Sequence, residues 1–355
     1  NLARGLSVVS RAVSPRSTLP VLSNILIATD EGRLRLSATN LELGITCWIA
    51  ARIDEEGSTT VPSRTFGDLV NTLPGDQVQL TLDVKTQSLH VKGGTSNNDI
   101  KCIDAQEFPP LPVPEMEGAM QLNVADFKEM IQQVAFAAST DESRPVLMSV
   151  LLHVEKEKLK MAAADGFRLS VRKAVLSNPA AHPLNVIIPA RALNELARVA
   201  ADGEEPIYMV VPKNRGQVLF RVKDVEVVSQ LIDGTYPYYQ QIIPRNYKSR
   251  TLVSTASLLK ACKQAEIFAR EGSNVARFDI KQSNGEMQPS EVEISATSEE
   301  TGKNETIVEA TVDGGSVLIA FNVKFLREAL EVIKTPNVAL ETSAANAPGV
   351  VRPVG

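Results

Sequence analysis

Ser257 and Lys260 stand three positions apart in SLLKAC, a spacing with which one helical turn can set an amine beside a hydroxyl for acyl transfer. That chemistry needs further motifs, and none is found, so the pair reads better as one turn of a basic helix. There is no GxxxxGK(S/T) and no GxGxxG, and Gly93-Gly94 in KGGTSNN fits a hairpin turn rather than a phosphate loop. Asp-Gly at 165–166, 202–203 and 233–234 are turn signals before they are ligands. No carboxylate cluster resembles a two-metal nuclease site. His90, His153 and His182 have no metal-ligand spacing; His153 sits in an apolar strand and His182 precedes a proline. Cys47, Cys102 and Cys262 are odd in number and far apart, which argues against a disulfide scaffold and a Cys-rich zinc site. Cys102 and Cys262 fall in apolar patterns as small core or interface residues. No catalytic residue, metal or cofactor is expected.

The chemistry left is electrostatic. The 355 residues carry 37 basic and 42 acidic side chains, a net charge of −5, which argues against a conventional basic nucleic-acid binder. The distribution tells more. Six amphipathic segments, 1–14, 63–73, 126–139, 190–200, 257–270 and 323–334, hold twelve basic residues against seven acids. They are Arg4, Arg11, Arg64, Lys128, Arg191, Arg198, Lys260, Lys263, Arg270, Lys324, Arg327 and Lys334. The helices thus carry a surplus of five positive charges, and the remainder carries ten negative ones. If these helices share one surface, that surface attracts a polyanion. Aromatics are only 5% of the chain and no RNP-like aromatic pair or zinc finger occurs, so contacts to phosphates rather than bases are expected. Such binding is sequence-independent and salt-sensitive.

The elements that position these charges come in three copies. LRLSATNLEL (34–43), LKMAAADGFR (159–168) and VEISATSEET (292–301) are alternating strands closing on a small polar turn. VPSRTFGDLVNTL (61–73), IPARALNELARVA (188–200) and FNVKFLREALEVI (321–333) each pass from a strand end into a helix, with Pro62, Pro189 and Asn322 equivalent. LARGLSVVSRAVS (2–14), DFKEMIQQVAFAAS (126–139) and SLLKACKQAEIFAR (257–270) precede them as amphipathic helices, with Asp126 and Ser257 as N-caps or first-turn residues. An apolar strand follows at LPVLSNILIAT (19–29) and RPVLMSVLLHV (144–154), and at VARFDI (275–280) in the third copy.

The unit is an α+β domain with two helices packed on antiparallel sheets. Boundaries are expected at 1–114, 115–246 and 247–355, near the proline-rich stretches PPLPVP and IIP. Copies 2 and 3 start with a strand (MQLNV, TLVST) and copy 1 starts inside its helix. Roughly one strand is therefore expected to be missing at the start. Copy 3 stops at VVRPVG, where copies 1 and 2 run on to a proline cluster, so another is expected to be missing at the end. Apolar residues at 43% and charged residues at 22% suit a globular chain with sizeable cores. No apolar run approaches the roughly 20 residues of a membrane helix, and no signal peptide is visible, so the cytoplasm is the simplest compartment.

SRAVSPRSTLPVLSNILI, LRLSATNLELGI, FPPLP, AADGFRLSV, TYPYYQQIIP and FNVKFLREAL together resemble the bacterial DNA polymerase III β subunit family, the replicative sliding clamps, over essentially the whole chain. The resemblance implies three repeated DNA-clamp domains and a ring closed as a head-to-tail dimer. It also implies a non-catalytic processivity factor that encircles duplex DNA without sequence preference. Its partners would be a second copy of itself, a clamp loader complex, the replicative polymerase α subunit and other proteins with a clamp-binding motif. On the residues alone, a dispersed-site hydrolase using Ser257 and Lys260, or a repeat scaffold that never meets nucleic acid, stays open.

The resemblance also implies sites. Arg16 and Arg144, in matching loops before LPVL and PVLM, and Arg11, Arg198, Lys260, Lys263 and Lys334 on the helices, are expected to contact DNA. A partner-peptide pocket is expected from Leu147, Ala164, Gly166, Phe167, Arg168, Leu169, Pro237, Gln241, Ile242, Asn322, Phe325, Ala347 and Gly349. The dimer interface is expected to join Leu69, Ile100 and Cys102 of one subunit to Ile267 and Phe268 of the other, with Glu299 and Glu300 at the rim.

Overall fold

The structure is a computed structural model that describes residues 1–113, 115–213, 216–285 and 287–355; Pro114, the expected end of the first repeat, lies outside the described residues. The chain forms two compact units, Asn1–Tyr236 and Pro237–Gly355. This division falls ahead of position 246, the boundary read from the IIP cluster.

The first unit holds two copies of the repeat. One runs α1 (Leu2–Val9), β1 (Asn24–Asp30), β2 (Arg33–Thr39), β3 (Leu43–Ala50), β4 (Ser58–Pro62), α2 (Ser63–Thr72), β5 (Gln79–Asp83), β6 (Ser88–Gly93) and β7 (Ser96–Lys101). The next runs β8 (Met120–Leu122), α3 (Val124–Val134), β9 (Ser149–Glu155), β10 (Lys158–Ala164), β11 (Leu169–Val175), β12 (Leu184–Pro189), α4 (Ala190–Val199), β13 (Ile207–Val210), β14 (Gln217–Val222) and β15 (Val225–Gln230). The second unit is the third copy: β16 (Ser249–Ser254), α5 (Thr255–Ala269), β17 (Val275–Lys281), β18 (Ser290–Ser298), β19 (Gly302–Gly314), β20 (Val317–Asn322), α6 (Val323–Glu331), β21 (Asn337–Thr342) and β22 (Val350–Val354).

In each copy the two helices lie side by side and bury the apolar stripe that the sequence spacing predicts. Leu6 and Val9 of α1 and Phe66 of α2 are buried, as are Phe127, Met130 and Ile131 of α3 and Leu193 and Leu196 of α4. Leu258, Cys262 and Ala265 of α5 and Leu326 and Leu330 of α6 do the same in the second unit. Each large side chain so buried contributes about 1.5–3 kcal/mol. Helix α1 lies tight on its sheet because Gly5 has no side chain: a Cβ there would come 2.8 Å from Leu36 Cδ1.

Every strand pairing is antiparallel. The orders are β4-β1-β2-β3-β15-β14-β13-β8, β11-β10-β9-β12, β5-β6-β7 and β20-β17-β18-β19-β16-β21-β22. The first of these crosses from one repeat to the next. Strand β3 pairs with β15 from Leu43 opposite Ser229 to Cys47 opposite Val225. Gly44 lies in this seam, where a Cβ would meet Val228 at 2.8 Å and Leu111 of the inter-repeat linker at 2.9 Å. The linker is thus a strap over the joint.

The expected α+β repeats are present, with three local differences. LPVL does not start a strand: Pro20–Ser23 is a 3-10 turn closed by Leu22 N–H donating to Leu19 O at 3.1 Å, and β1 begins at Asn24. The same holds at Arg144, whose O accepts from Leu147 N–H at 3.0 Å, because a proline at the second position favours a turn. Helices α3 and α5 start earlier than read. Asn123 and Ser254 are the N-caps, accepting from the backbone N–H of Asp126 at 3.0 Å and Ser257 at 3.3 Å. Finally, β19 is a 13-residue strand, long enough to pair with β18 by its first part and β16 by its last.

Candidate functional site

Of the twelve helix cations, ten are exposed, whereas Lys128 and Arg327 are half-buried and used within the fold. Lys128 Nζ donates to Ala200 O at 2.9 Å, capping the end of α4, and pairs with Asp202 at 2.8 Å. That hydrogen bond and charge hold the Asp202 carboxyl below its ordinary value. Arg327 pairs with Glu266 and, at 2.9 Å, with Glu331, and these contacts, the Glu266 hydrogen bond first, push its guanidinium pKa upward.

The expected DNA contacts divide the same way. Arg11 Nε lies 2.7 Å from Glu195, a carboxylate that also faces Arg198 at 3.6 Å. Arg191 Nη2 donates to Arg11 O at 3.5 Å. Glu195 therefore ties the turn after α1 to α4 across the two repeats of the first unit, and brings Arg11 and Arg198 together. Lys263 pairs with Glu331 at 3.5 Å and Arg144 with Asp141 at 3.5 Å. Arg16, Lys260 and Lys334 are exposed. Ser257 and Lys260 occupy the first turn and a half of α5, both exposed.

The DGFRL turn is built by its own polar groups. Asp165 accepts from the backbone N–H of Phe167 at 2.8 Å and Arg168 at 2.9 Å, and Gly166 takes φ +94°. Arg168 is held by Asp165 at 3.1 Å, by Phe136 O at 3.0 Å, and over the Phe136 ring at 5.4 Å. Tyr236, buried, accepts at its hydroxyl from Ala164 N–H at 2.8 Å. Leu147 and Leu169 are half-buried, and Phe167 is 85% exposed. Asp165 was read as a turn signal, and the turn is present; Phe136 and Tyr236 were missed, and the Tyr of the TYP motif was the available signal.

In the second unit Pro237 and Gln241 are exposed, Ile242 is 58% exposed, and Phe325 and Ala347 are half-buried. Asn322 caps α6, accepting from Phe325 N–H at 3.2 Å. Gly349 is fixed by its neighbour, since a Cβ would sit 2.6 Å from the Phe321 ring.

Among the open strand edges, those of β7 and β19 lie beside the expected interface residues. Strand β7 pairs only with β6, and β19 from Gly302 to Glu309 pairs only with β18. Ile100 on β7 is buried at 6% exposure, Leu69 and Cys102 are half-buried, and His90 pairs with Asp99 across β6 and β7 at 2.8 Å. Beside the β19 edge, Ile267 is 49% exposed, Phe268 is half-buried under Gly302, and Glu299 and Glu300 are exposed.

Among the described residues no group of three or more His, Cys, Asp or Glu is placed to hold a metal, and no helix is long and apolar enough to cross a membrane.

Three family models match the chain: DNA polymerase III beta subunit, N-terminal domain, at residues 1–112, central domain at 121–238 and C-terminal domain at 240–355. A beta sliding clamp of Staphylococcus aureus is 36% identical over 354 residues, covering 97% of this chain and 91% of the relative. One from Synechococcus elongatus is 33% identical over 359 residues, covering 100% and 94%. The solved DNA polymerase sliding clamp from Bacillus subtilis superposes with a TM-score of 0.90 at 31% identity, covering 99% of this chain and 93% of that one. The DNA polymerase III subunit beta from Pseudomonas aeruginosa does so with a TM-score of 0.88 at 27% identity, covering 99% and 94%.

Proposed function

The chain belongs to the DNA polymerase III beta subunit family, and from that premise we propose that two copies close head to tail into a ring that encircles duplex DNA and tethers the replicative polymerase. The observation that carries this reading is the β3–β15 seam. It joins one repeat to the next edge to edge, and the free edges of β19 and β7 have the complementary halves of the same joint.

The repeats set the register. Ser37–Asn40 (SATN) corresponds to Ser295–Ser298 (SATS), and Leu231-Ile232-Asp233 to Cys102-Ile103-Asp104. The β18–β19 hairpin is one residue longer than β2–β3, since Ser37 faces Thr46 whereas Ser295 faces Glu305, so Cys47 opposite Val225 becomes Thr306 opposite Ser96 of the second copy. The bond from Gln230 N–H to Glu42 O at 2.9 Å becomes Lys101 opposite Thr301, beside Glu300. Ile267 and Phe268 would pack at this joint with Leu69, Ile100 and Cys102. Two such joints close a ring and cover both of these edges.

The helices face the hole. Their surplus of five charges per chain is diffuse, and the seven acids already counted in it include Glu195, Glu266 and Glu331, which pair with Arg11, Arg327 and Lys263. DNA is therefore held by topology, with Arg16, Arg144, Arg198, Lys260, Lys263 and Lys334 making weak phosphate contacts and Arg11 sharing its charge with Glu195. No catalytic step is assigned. Partner proteins, among them a clamp loader, would insert apolar side chains beside Leu147, Leu169 and the exposed Phe167 of the second repeat. We retain 1–114, 115–246 and 247–355 as the repeat boundaries.

The test is primer extension on a singly primed circular template with the family's polymerase and loader. The wild type should lengthen products. Glu300→Lys should abolish both dimer and lengthening, and adding Lys101→Glu on the same chain should restore both. Lengthening by a monomeric Glu300→Lys protein would refute the ring.

A further inference from the structure

Strands β8 and β16 are the same strand of their repeats, each running straight into a capped helix through Asn123 or Ser254. In the third repeat β16 is paired on both sides, by β21 and by the end of β19, with Thr251 opposite Val312 and Val253 opposite Ala310. In the second repeat β8 is paired on one side only, by β13. The segment corresponding to Ala310–Gly314 is Leu176–Ala180. LKMAAADGFR aligns with VEISATSEET before it, and Leu159 faces Ala174 where Val292 faces Val308, so the third repeat has one more residue in this hairpin.

The reason for the difference is chemical. Asn178 stands where Val312 stands and Pro179 where Asp313 stands, opposite Arg250 in the third repeat, and Pro183 follows, so this segment lacks N–H groups that a strand would need. Among the described residues no backbone hydrogen bond joins 118–122 to 177–183; Ala180 N–H donates instead to Lys156 O at 2.9 Å. A cleft of about 370 Å3 remains, walled by Met120, Met209, Val211, Ala180 and Leu184, beside the open edge of β8. An open edge leaves backbone donors and acceptors for an incoming strand. The charge around it has one dominant sign. Glu115 and Glu117 precede β8, and Glu204 and Glu205 precede β13, all exposed, against Lys213 after β13.

We propose that this cleft accepts an extended segment of a partner protein, small and apolar at alternate positions and basic at its flanks, which pairs edge-on with β8. The occupant's shape is given by the third repeat, where Ala310-Thr311-Val312 fills the equivalent place. Its flanking charge is given by the acidic rim. Main-chain pairing would supply the affinity and the alternating side chains the selectivity. The inference stands apart from the ring reading, since the cleft lies within the second repeat.

The probe is a fluorescein-labelled peptide, Lys-Ala-Thr-Val-Thr-Gly-Lys, followed by fluorescence anisotropy on the full chain. Saturable binding is expected, at least tenfold weaker to Ala180→Trp, which fills the cleft from a loop, and unchanged by Leu169→Asp. A second probe with Pro in place of Val cannot pair and should also bind at least tenfold more weakly. Circular dichroism should show each variant folded. The proposal is overturned by no saturable binding, by equal binding of the Pro probe, by equal binding to folded Ala180→Trp, or by loss of binding in Leu169→Asp, which would place the peptide at the DGFRL turn.

Discussion

Replacing Glu195 with Gln removes the one carboxylate that joins Arg11 and Arg198, and its cost can be worked from the geometry. Glu195 is 12% exposed, Arg11 is 40% exposed at 2.7 Å, and Arg198 is 60% exposed at 3.6 Å. Exposed pairs contribute about 0–1 kcal/mol and broken buried pairs cost about 3–5 kcal/mol. The Arg11 contact lies between these limits and the Arg198 contact at the lower one, so Glu195→Gln should cost about 2 kcal/mol. For a unit the size of Asn1–Tyr236 this is a fall of roughly 4–8 °C in Tm by calorimetry. Raising the salt should shrink the effect without abolishing it, because one partner is sheltered. A double-mutant cycle with Arg11→Ala should give a coupling of about 1–2 kcal/mol. The same change releases two guanidiniums, so the slope of DNA retention against salt should steepen. Unchanged Tm at low salt together with an additive cycle would refute the view that Glu195 locks the two repeats and shares the Arg11 charge.

Ile267→Ala with Phe268→Ala should convert dimers to monomers at micromolar concentration in sedimentation velocity, and a stable dimer would remove these residues from the interface. Leu169→Asp should weaken a Gln-Leu-rich clamp-binding peptide at least tenfold in fluorescence titration while leaving the dimer intact; equal affinity would place the pocket elsewhere. Burial, helped by Asp224 and by Glu266, pushes the Cys47 and Cys262 thiols up to about 12 from about 9. Their neutral forms therefore stabilise the fold fully below about pH 9, and that stability is lost as pH rises from 9 towards 12. Alkylation at pH 8 should accordingly spare both until the protein unfolds, and fast native labelling of either would contradict their burial.

The repeats were legible because amphipathic helices and alternating strands leave a local periodicity, and three copies of SATN-like and PSRTF-like runs reinforce one another. The β3–β15 seam was not legible. Its two strands read like any other alternating strand, and nothing in either names its neighbour. Glu195 was equally hidden: its partner Arg11 lies 184 positions away, so it read only as an acid on a basic helix. The counts of helix charge were right, yet they could not reveal that Lys128 is spent on the carbonyl of Ala200. At the DGFRL turn the sequence indicated Gly166 and Arg168, and Asp165 as a turn signal. The polar bracing by Phe136 O and Tyr236 came only from the fold, because those residues are remote in the chain.

The central claim is that DNA is held by encirclement. The dimer should be loaded on a nicked circular plasmid, washed in high salt, and the plasmid then cut once. The account predicts that the protein stays on the circle through the wash and leaves promptly from the line, because the helix charges of Lys260, Lys263, Arg198 and their neighbours are too weakly engaged to hold it there. Equal retention on circle and line, or loss from the circle at a salt level that leaves the dimer intact, would show that ordinary surface contacts hold the DNA.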